Sequence, residues 1–429
     1  MKQMKHKLIL TICTVLNIWQ FAMCEDSKPY LTTQTPITLL SGNDGETAPF
    51  LQTTPNGVTD WMLKRQDSFT VIQLGPNHPP IIKTVYGTVP THIWGTPTMA
   101  MSKDGRYGLI TNHGFRVKYF QNIIYPKGDT LTNDDLTPEM LKKQKLAAHK
   151  SNMISLIDLS TTDYKVIHRV LFEDNPLHVL AHPDGKHFVV GGSENFYVYA
   201  IEDGNLIEIS KNPQPYGQPC FWISPKGNRI IATQTLGEEE TCTVQWYSML
   251  NNKISHLSEI KVAEGVDTKI MNRTLILRIS LDGRMALICQ RASDSGLDFC
   301  DVQIADLTLE KPAITSVIKE VADGVESFAF HPNGKMAVVT GLGKFSNCIA
   351  VLDIASKPSR LLYTIDAASF GQGIEFTPEG DKLFVGSANS GKIEVFDVLG
   401  DYELRKNPKF LRVGYGHSSL TIGPRYQAK

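Results

Sequence analysis

The 429 residues hold little of what usually settles a protein's class at sight. Cysteine is sparse, seven in all, and no two fall in a Cys-x-x-Cys or Cys-x-x-Cys-His spacing. That excludes c-type haem attachment and the ordinary thiolate zinc sites. Neither charge sign is in excess: Lys and Arg number 43 against 44 Asp and Glu, a formal net charge of -1. No basic field is available to hold a phosphate backbone, so no nucleic-acid partner is expected. Gly-rich phosphate loops, a Gly-x-Ser-x-Gly elbow and a His-Glu-x-x-His pair are all missing, and the enzyme classes that depend on them lose their signatures. No cofactor and no metal is expected. Past residue 24 no apolar run approaches the roughly 20 residues that cross a bilayer, so no membrane span is expected either.

The first 24 residues carry Lys2, Lys5 and Lys7, an apolar run from Leu8 to Ile18, and Ala22-Met23-Cys24 ahead of Glu25-Asp26. This is the order of a secretory signal: basic start, short apolar centre, small residues at the cleavage positions. Cleavage after Cys24 would leave residues 25–429 as a single domain, secreted or periplasmic. Lipoprotein anchoring at Cys24 is the competing reading, for which Phe21-Ala22-Met23 is a poor context. Five cysteines would remain, Cys220, Cys242, Cys289, Cys300 and Cys348, an odd number that leaves at least one thiol unpaired. Cys289 and Cys300 flank a turn near Asp294-Ser295-Gly296, where a cross-strand disulfide and a pair of buried thiols both remain open.

What the chain has in abundance is a repeat. Ser102-Lys-Asp-Gly-Arg106, His182-Pro-Asp-Gly-Lys186, Ser224-Pro-Lys-Gly-Asn228, Ser280-Leu-Asp-Gly-Arg284, His331-Pro-Asn-Gly-Lys335 and Thr377-Pro-Glu-Gly-Asp381 are six versions of one tight turn. Pro suits the position that needs φ near -65°, and Gly the one that needs positive φ. A β-rich run follows each turn, as in His187-Phe-Val-Val190 and Met336-Ala-Val-Val339. A second series, offset from the first, recurs seven times from Phe69-Thr-Val-Ile72 to Ile393-Glu-Val-Phe-Asp397. Successive turns lie 42 to 56 residues apart where nothing is inserted, the length of a four-stranded propeller blade. The expected fold class is all-β, a seven-bladed β-propeller. Ser418-Ser-Leu-Thr-Ile422 supplies the seventh inner strand, with the outer strands of that blade drawn from residues 58–86, so that the N- and C-terminal ends close one blade. The interval between Gly105 and Gly185 holds an inserted segment, 121–150, in which Thr137-Pro138-Glu139 caps a short lysine-rich helix. It is either a solvated decoration of one blade or a lid or docking element.

The turn, the β run after it and the following strand that ends in Asp resemble the YVTN-type seven-bladed propellers. That group includes the lactonases related to 6-phosphogluconolactonase and the haem-d1 domains of nitrite reductases. The resemblance covers about 69–422. Its nearest local match is Gly324-Val-Glu-Ser-Phe-Ala-Phe-His-Pro-Asn-Gly-Lys335, similar to the lactonase stretch Gly-Pro-Arg-His-Phe-x-Phe-His-Pro-Asn-Gly-Lys. Glu326-Ser327 stands where that family has its Arg-His pair, which faces the substrate, and Thr340-Gly341-Leu342 where it has Asn-Glu-Leu. The turn is thus kept and the family's cleft chemistry is not. His182 and His331, on the turns, are read as turn-stabilising residues.

Propeller loops opposite the turns converge around the central channel. They carry His92, Trp94, Asn112, Tyr216, Gln234, Gln372, Asn389 and His417 as ligand-binding candidates, and His113, Arg116, Arg291 and Glu326 as candidate catalytic groups. Together they make a polar face of mixed charge with aromatic stacking surfaces, suited to a small polar ligand or a protein or peptide partner. A monomeric binding scaffold is the first reading. A lactonase-like hydrolase, with acid and base groups drawn from His92, His113, Arg116, Arg291 and Glu326, is the second. A haem-d1 domain, taking an axial ligand from His92, His113 or His417, is the third.

Overall fold

A computed structural model describes residues 29–45, 67–87, 89, 97–112, 152–172, 174–214, 220–236, 241–260, 276–291, 299–341, 348–367, 371–388 and 390–427. The leader, the 121–150 insertion, and His92, Trp94, His113, Arg116, Tyr216 and Asn389 fall outside these residues. Within them are 28 strands in seven four-stranded antiparallel sheets, with no helix. The innermost strands are Met99–Met101, His178–Ala181, Cys220–Ile223, Leu277–Ile279, Ser327–Phe330 and Gly371–Phe376 in blades 1 to 6, and His417–Pro424 in blade 7. Each of blades 1 to 6 is a meander whose second strand is buried on both faces, as in Met336–Thr340. Its outermost strand alternates in exposure, as in Val166–Leu171. Buried apolar residues therefore lie between neighbouring blades. One continuous cluster runs from Val244 of blade 3 through Leu287 of blade 4 to Phe328 of blade 5.

Closure differs from the expectation in one strand. Blade 7 is ordered His417–Pro424, Ile37–Asn43, Ser68–Leu74, Ile81–Tyr86, so its second strand lies N-terminal to the 58–86 stretch. Ile37–Asn43 is buried throughout its length and pairs on both sides, Leu40 with Val71 and with Thr421. A strand covered on both faces shows no alternation of polar and apolar residues, and no turn motif precedes this one.

The six turns follow one design. The glycine amide donates to the carbonyl of the first turn residue, 2.8 to 3.0 Å away, and every turn glycine has φ between +71° and +79°. His182 and His331 each add a bond between blades. Their Nε2 atoms lie 2.9 Å from the Gly227 carbonyl and 2.8 Å from the Gly380 carbonyl, in the turn of the next blade. A carbonyl only accepts, so Nε2 carries the proton; Nδ1 then accepts the amide of Asp184 or Asn333. Elsewhere the turns interlock by contact. A Cβ on Gly105 would meet the Pro424 carbonyl, one on Gly185 would meet Lys103, and one on Gly283 would meet Pro225. At the seam of blades 4 and 5 the turn glycine has no such neighbour: a Cβ on Gly334 would meet nothing within 4 Å.

This pairing supplies its own control. Gly334→Ala bears only the left-handed backbone cost of about 1–2 kcal/mol. Gly380→Ala bears the same cost and also drives a methyl to 2.4 Å from His331 Nε2, breaking a bond worth about 1 kcal/mol. Urea denaturation should find Gly380→Ala the less stable variant by about 1 kcal/mol or more. Equal losses would mean that the interlock adds nothing to stability.

Candidate functional site

The turn glycines share one equivalent position in blades 1 to 6, five residues before each: Ala100, Leu180, Trp222, Arg278, Ala329 and Glu375; all but Ala329 line a cavity in the channel. Arg278 and Glu375 are the charged members. The guanidinium of Arg278 leaves blade 4 and crosses blade 5, where Nη1 donates to the Phe328 carbonyl at 2.6 Å. In blade 6 the same nitrogen donates to the Ile374 carbonyl at 3.1 Å, and Nη2 donates to Glu375 Oε2 at 2.7 Å. On its other side the group lies over the Trp222 ring of blade 3, 4.6 Å from the centroid. Four consecutive blades are thus tied by one side chain. Planar, multiply donating and always charged, a guanidinium can do this where an ammonium could not. Both partners are largely buried, with side chains 12% and 14% exposed. Burial pushes the Glu375 carboxyl above its ordinary value, and Arg278 recovers only part of the shift.

The pair forms part of the wall of the channel. Towards the turns lies a cavity of about 390 Å³, walled by Met99, Met101, Leu180, Phe330 and Phe376 and edged by Leu281, Pro332 and Pro378 of the turns. Sequence reading placed its site at the opposite end and missed this vestibule, along with Arg278, Glu375 and Trp222. The signal was present: an Arg and a Glu in a column otherwise filled by Ala, Leu and Trp.

At the other end the structure brings three of the sequence candidates together. Gln372 is the second residue of the innermost strand of blade 6 and is 1% exposed; its Nε2 donates to Glu326 Oε2 of blade 5 at 3.0 Å. Its Oε1 is buried with no hydrogen-bond partner. His417 opens the innermost strand of blade 7, wholly buried. Its Nδ1 lies 2.8 Å from Ser41 Oγ, while Nε2 faces the Gln372 carbonyl without completing a hydrogen bond. Gly386 makes room for this meeting, since a Cβ there would fall 1.8 Å from His417 Nε2 and 2.5 Å from the Gln372 oxygen. Burial lowers the His417 pKa to about 4, so the ring is neutral at ordinary pH.

Of the remaining candidates, Asn112 ends the strand Tyr107–Asn112 and is 1% exposed. Gln234 and Arg291 lie on the strands Arg229–Leu236 and Met285–Arg291. Cys289 and Cys300 are buried thiols rather than a disulfide. Their strands pair Cys289 with Val302 and Arg291 with Cys300, which sets the two thiols diagonally, and a hydrogen bond between them, with burial, raises the Cys289 pKa. The turn Ser193-Glu194-Asn195 is held by the Asp174 carboxylate, which accepts the amides of Ser193, Glu194 and Asn195 and the Ser193 hydroxyl.

No protein-family model matches the sequence, and no curated protein matches it. Solved structures do match the fold. A candidate 6-phosphogluconolactonase of Bacteroides fragilis superimposes with a TM-score of 0.60 at 14% identity, covering 91% of this chain and 99% of that one. The periplasmic gluconolactonase of Pseudomonas aeruginosa gives 0.59 at 15% identity, with the same coverage. Hydrazine synthase of Kuenenia stuttgartiensis gives 0.53 at 14% identity, over 78% of this chain and 92% of that one. At such identities the likeness is one of architecture, and it agrees with the resemblance drawn from the turn motifs.

Two predictions follow from the channel. Arg278→Met strands a buried carboxylate and should cost about 3–5 kcal/mol, whereas Arg278→Met combined with Glu375→Leu should recover most of that loss. Additive losses in the double-mutant cycle would show that the pair does not interact. His417 generates a pH dependence. Its folded pKa lies below the ordinary 6.5, so between pH 6.5 and 4 the unfolded chain binds the extra proton and stability rises with pH. The contribution is complete above 6.5 and decreases by about 3 kcal/mol as pH falls to 4. Denaturation curves of His417→Gln should lack this slope; an unchanged slope would assign it to another group.

Proposed function

We propose that this protein is a binding propeller, a scaffold that recognises a small polar ligand or a peptide segment at the channel end opposite the turns. One observation carries the reading: the described acids and bases of the channel are engaged with one another or sealed. Glu375 is held by Arg278, Glu326 accepts from Gln372, and His417 is buried and neutral. A general acid or base must reach its substrate, and a proton shuttle needs a pKa near the working pH. The choice of end rests on the connections. Six turns of constant design occupy one end. From the other depart joins of very different length, from 40 residues after Asn112 to three after Gly191, and variable loops on a fixed scaffold are where recognition resides. Glu326 and the buried, unsatisfied acceptor of Gln372 sit at this end. On the strength of residues 1–24, this reading puts the protein outside the cytoplasm.

A second reading is lactone hydrolysis, favoured by the fold shared with the two lactonase structures. It would draw on His92, His113, Arg116, Arg291 and Glu326. Assay of the purified protein against gluconolactone should show no opening above the buffer rate. Catalysed opening that drops about a hundredfold or more in a folded His113→Ala or Arg116→Ala variant would replace the binding reading with the enzymatic one. A crystallographic screen with small polar compounds and peptides should seat ligands over Glu326 and Gln372, whereas occupancy confined to the turn-side vestibule would refute the choice of end.

A further inference from the structure

One cluster of ligand-type side chains lies outside the channel, on the turn of blade 2. Among the described residues, His182, Asp184 and His187 form the one group of three whose donor atoms all fall within 4.8 Å of one another. Asp184 Oδ2 stands between the two rings, 3.0 Å from His182 Nδ1 and 2.7 Å from His187 Nδ1. The bond from His182 Nε2 to the Gly227 carbonyl places that ring's proton on Nε2, so Nδ1 presents a lone pair. That lone pair accepts the Asp184 amide over a long 3.3 Å and lies 3.0 Å from the Asp184 carboxylate, near enough for one cation to take both as ligands.

We propose that His182 Nδ1, His187 Nδ1 and Asp184 Oδ2 form a binding site for a divalent transition metal of the zinc type, with water completing the coordination. Two imidazoles and a carboxylate suit such an ion and disfavour calcium or magnesium, which take oxygen ligands. The Gly227 carbonyl would be the outer partner that metal-bound histidines usually have. A tetrahedral ion about 2.1 Å from each donor separates the donors by about 3.4 Å. The carboxylate must therefore retreat from each ring by well under 1 Å, which a side chain 35% exposed can do. Binding also moves the His187 proton from Nδ1, where it now serves Asp184, to Nε2. The repeat singles out this blade. The His331 turn has Asn333 and Met336 at the places of Asp184 and His187, and the other four turns begin with Ser or Thr.

The sister turn also supplies the test. Asp184→Asn with His187→Met converts blade 2 to the His-Pro-Asn-Gly-Lys-Met sequence that blade 5 already folds. After chelator treatment, calorimetric titration of the full chain with Zn²⁺ should show one site that is weaker by tenfold or more in the double variant. Zn²⁺ should raise the thermal midpoint of the parent protein only. Equal binding by the two proteins, no binding by the parent, or Ca²⁺ bound as tightly as Zn²⁺ would each overturn the proposal.

Discussion

A guanidinium taken out of water has to be surrounded by acceptors, and the channel of this propeller is arranged around that requirement. Arg278 draws on two backbone carbonyls, one carboxylate and one aromatic face, supplied by blades 3, 5 and 6. Its position therefore depends on the ring being closed to the right radius. The dependence runs both ways, because a change of radius would separate the charge from its partners. Such a pair need not add net stability over apolar packing, but it penalises every arrangement in which it is not formed. In a ring of near-identical sheets, that penalty disfavours closure at any other radius.

The same ring is tied differently at its turn end. Blades 2 and 3, and blades 5 and 6, are joined there by histidine bonds; blades 7 and 1, 1 and 2, and 3 and 4 by close contact at the turn glycine; at blades 4 and 5 the turn glycine Gly334 has no neighbour within reach of a Cβ. At that open seam the Arg278 bond to the Phe328 carbonyl and the apolar cluster spanning blades 3 to 5 take over. Polar ties and apolar packing thus share the circumference.

The architecture was legible because its signals are local and repeated. A turn glycine at positive φ has few substitutes, and six of them at blade-length intervals expose the period. The one strand missed, Ile37–Asn43, is buried on both faces and follows no turn. Site residues were legible only in part, for a different physical reason. Glu326, Gln372 and His417 could be named from their places near strand ends, but that Gln372 bonds Glu326, or that Gly386 leaves room for the His417 ring, depends on contacts across blades. Arg278 and Glu375 looked like ordinary polar residues of short strands. Their partnership appears only when the repeats are stacked as columns.

Blade 7 takes its second, third and fourth strands from the start of the chain and its innermost from the end, Ile37 lying against Pro424. The consequence is one of timing. As the chain is synthesised, blades 1 to 6 can assemble in order, while the edge of Ile37–Asn43 waits for its inner partner until the last strand has been made. A waiting edge of unpaired amides and carbonyls accepts any strand that fits. The same strand from a neighbouring chain fits as well as its own, so crowded synthesis would favour rings linked by exchanged strands, and dilute or chaperoned synthesis would favour rings that close on themselves.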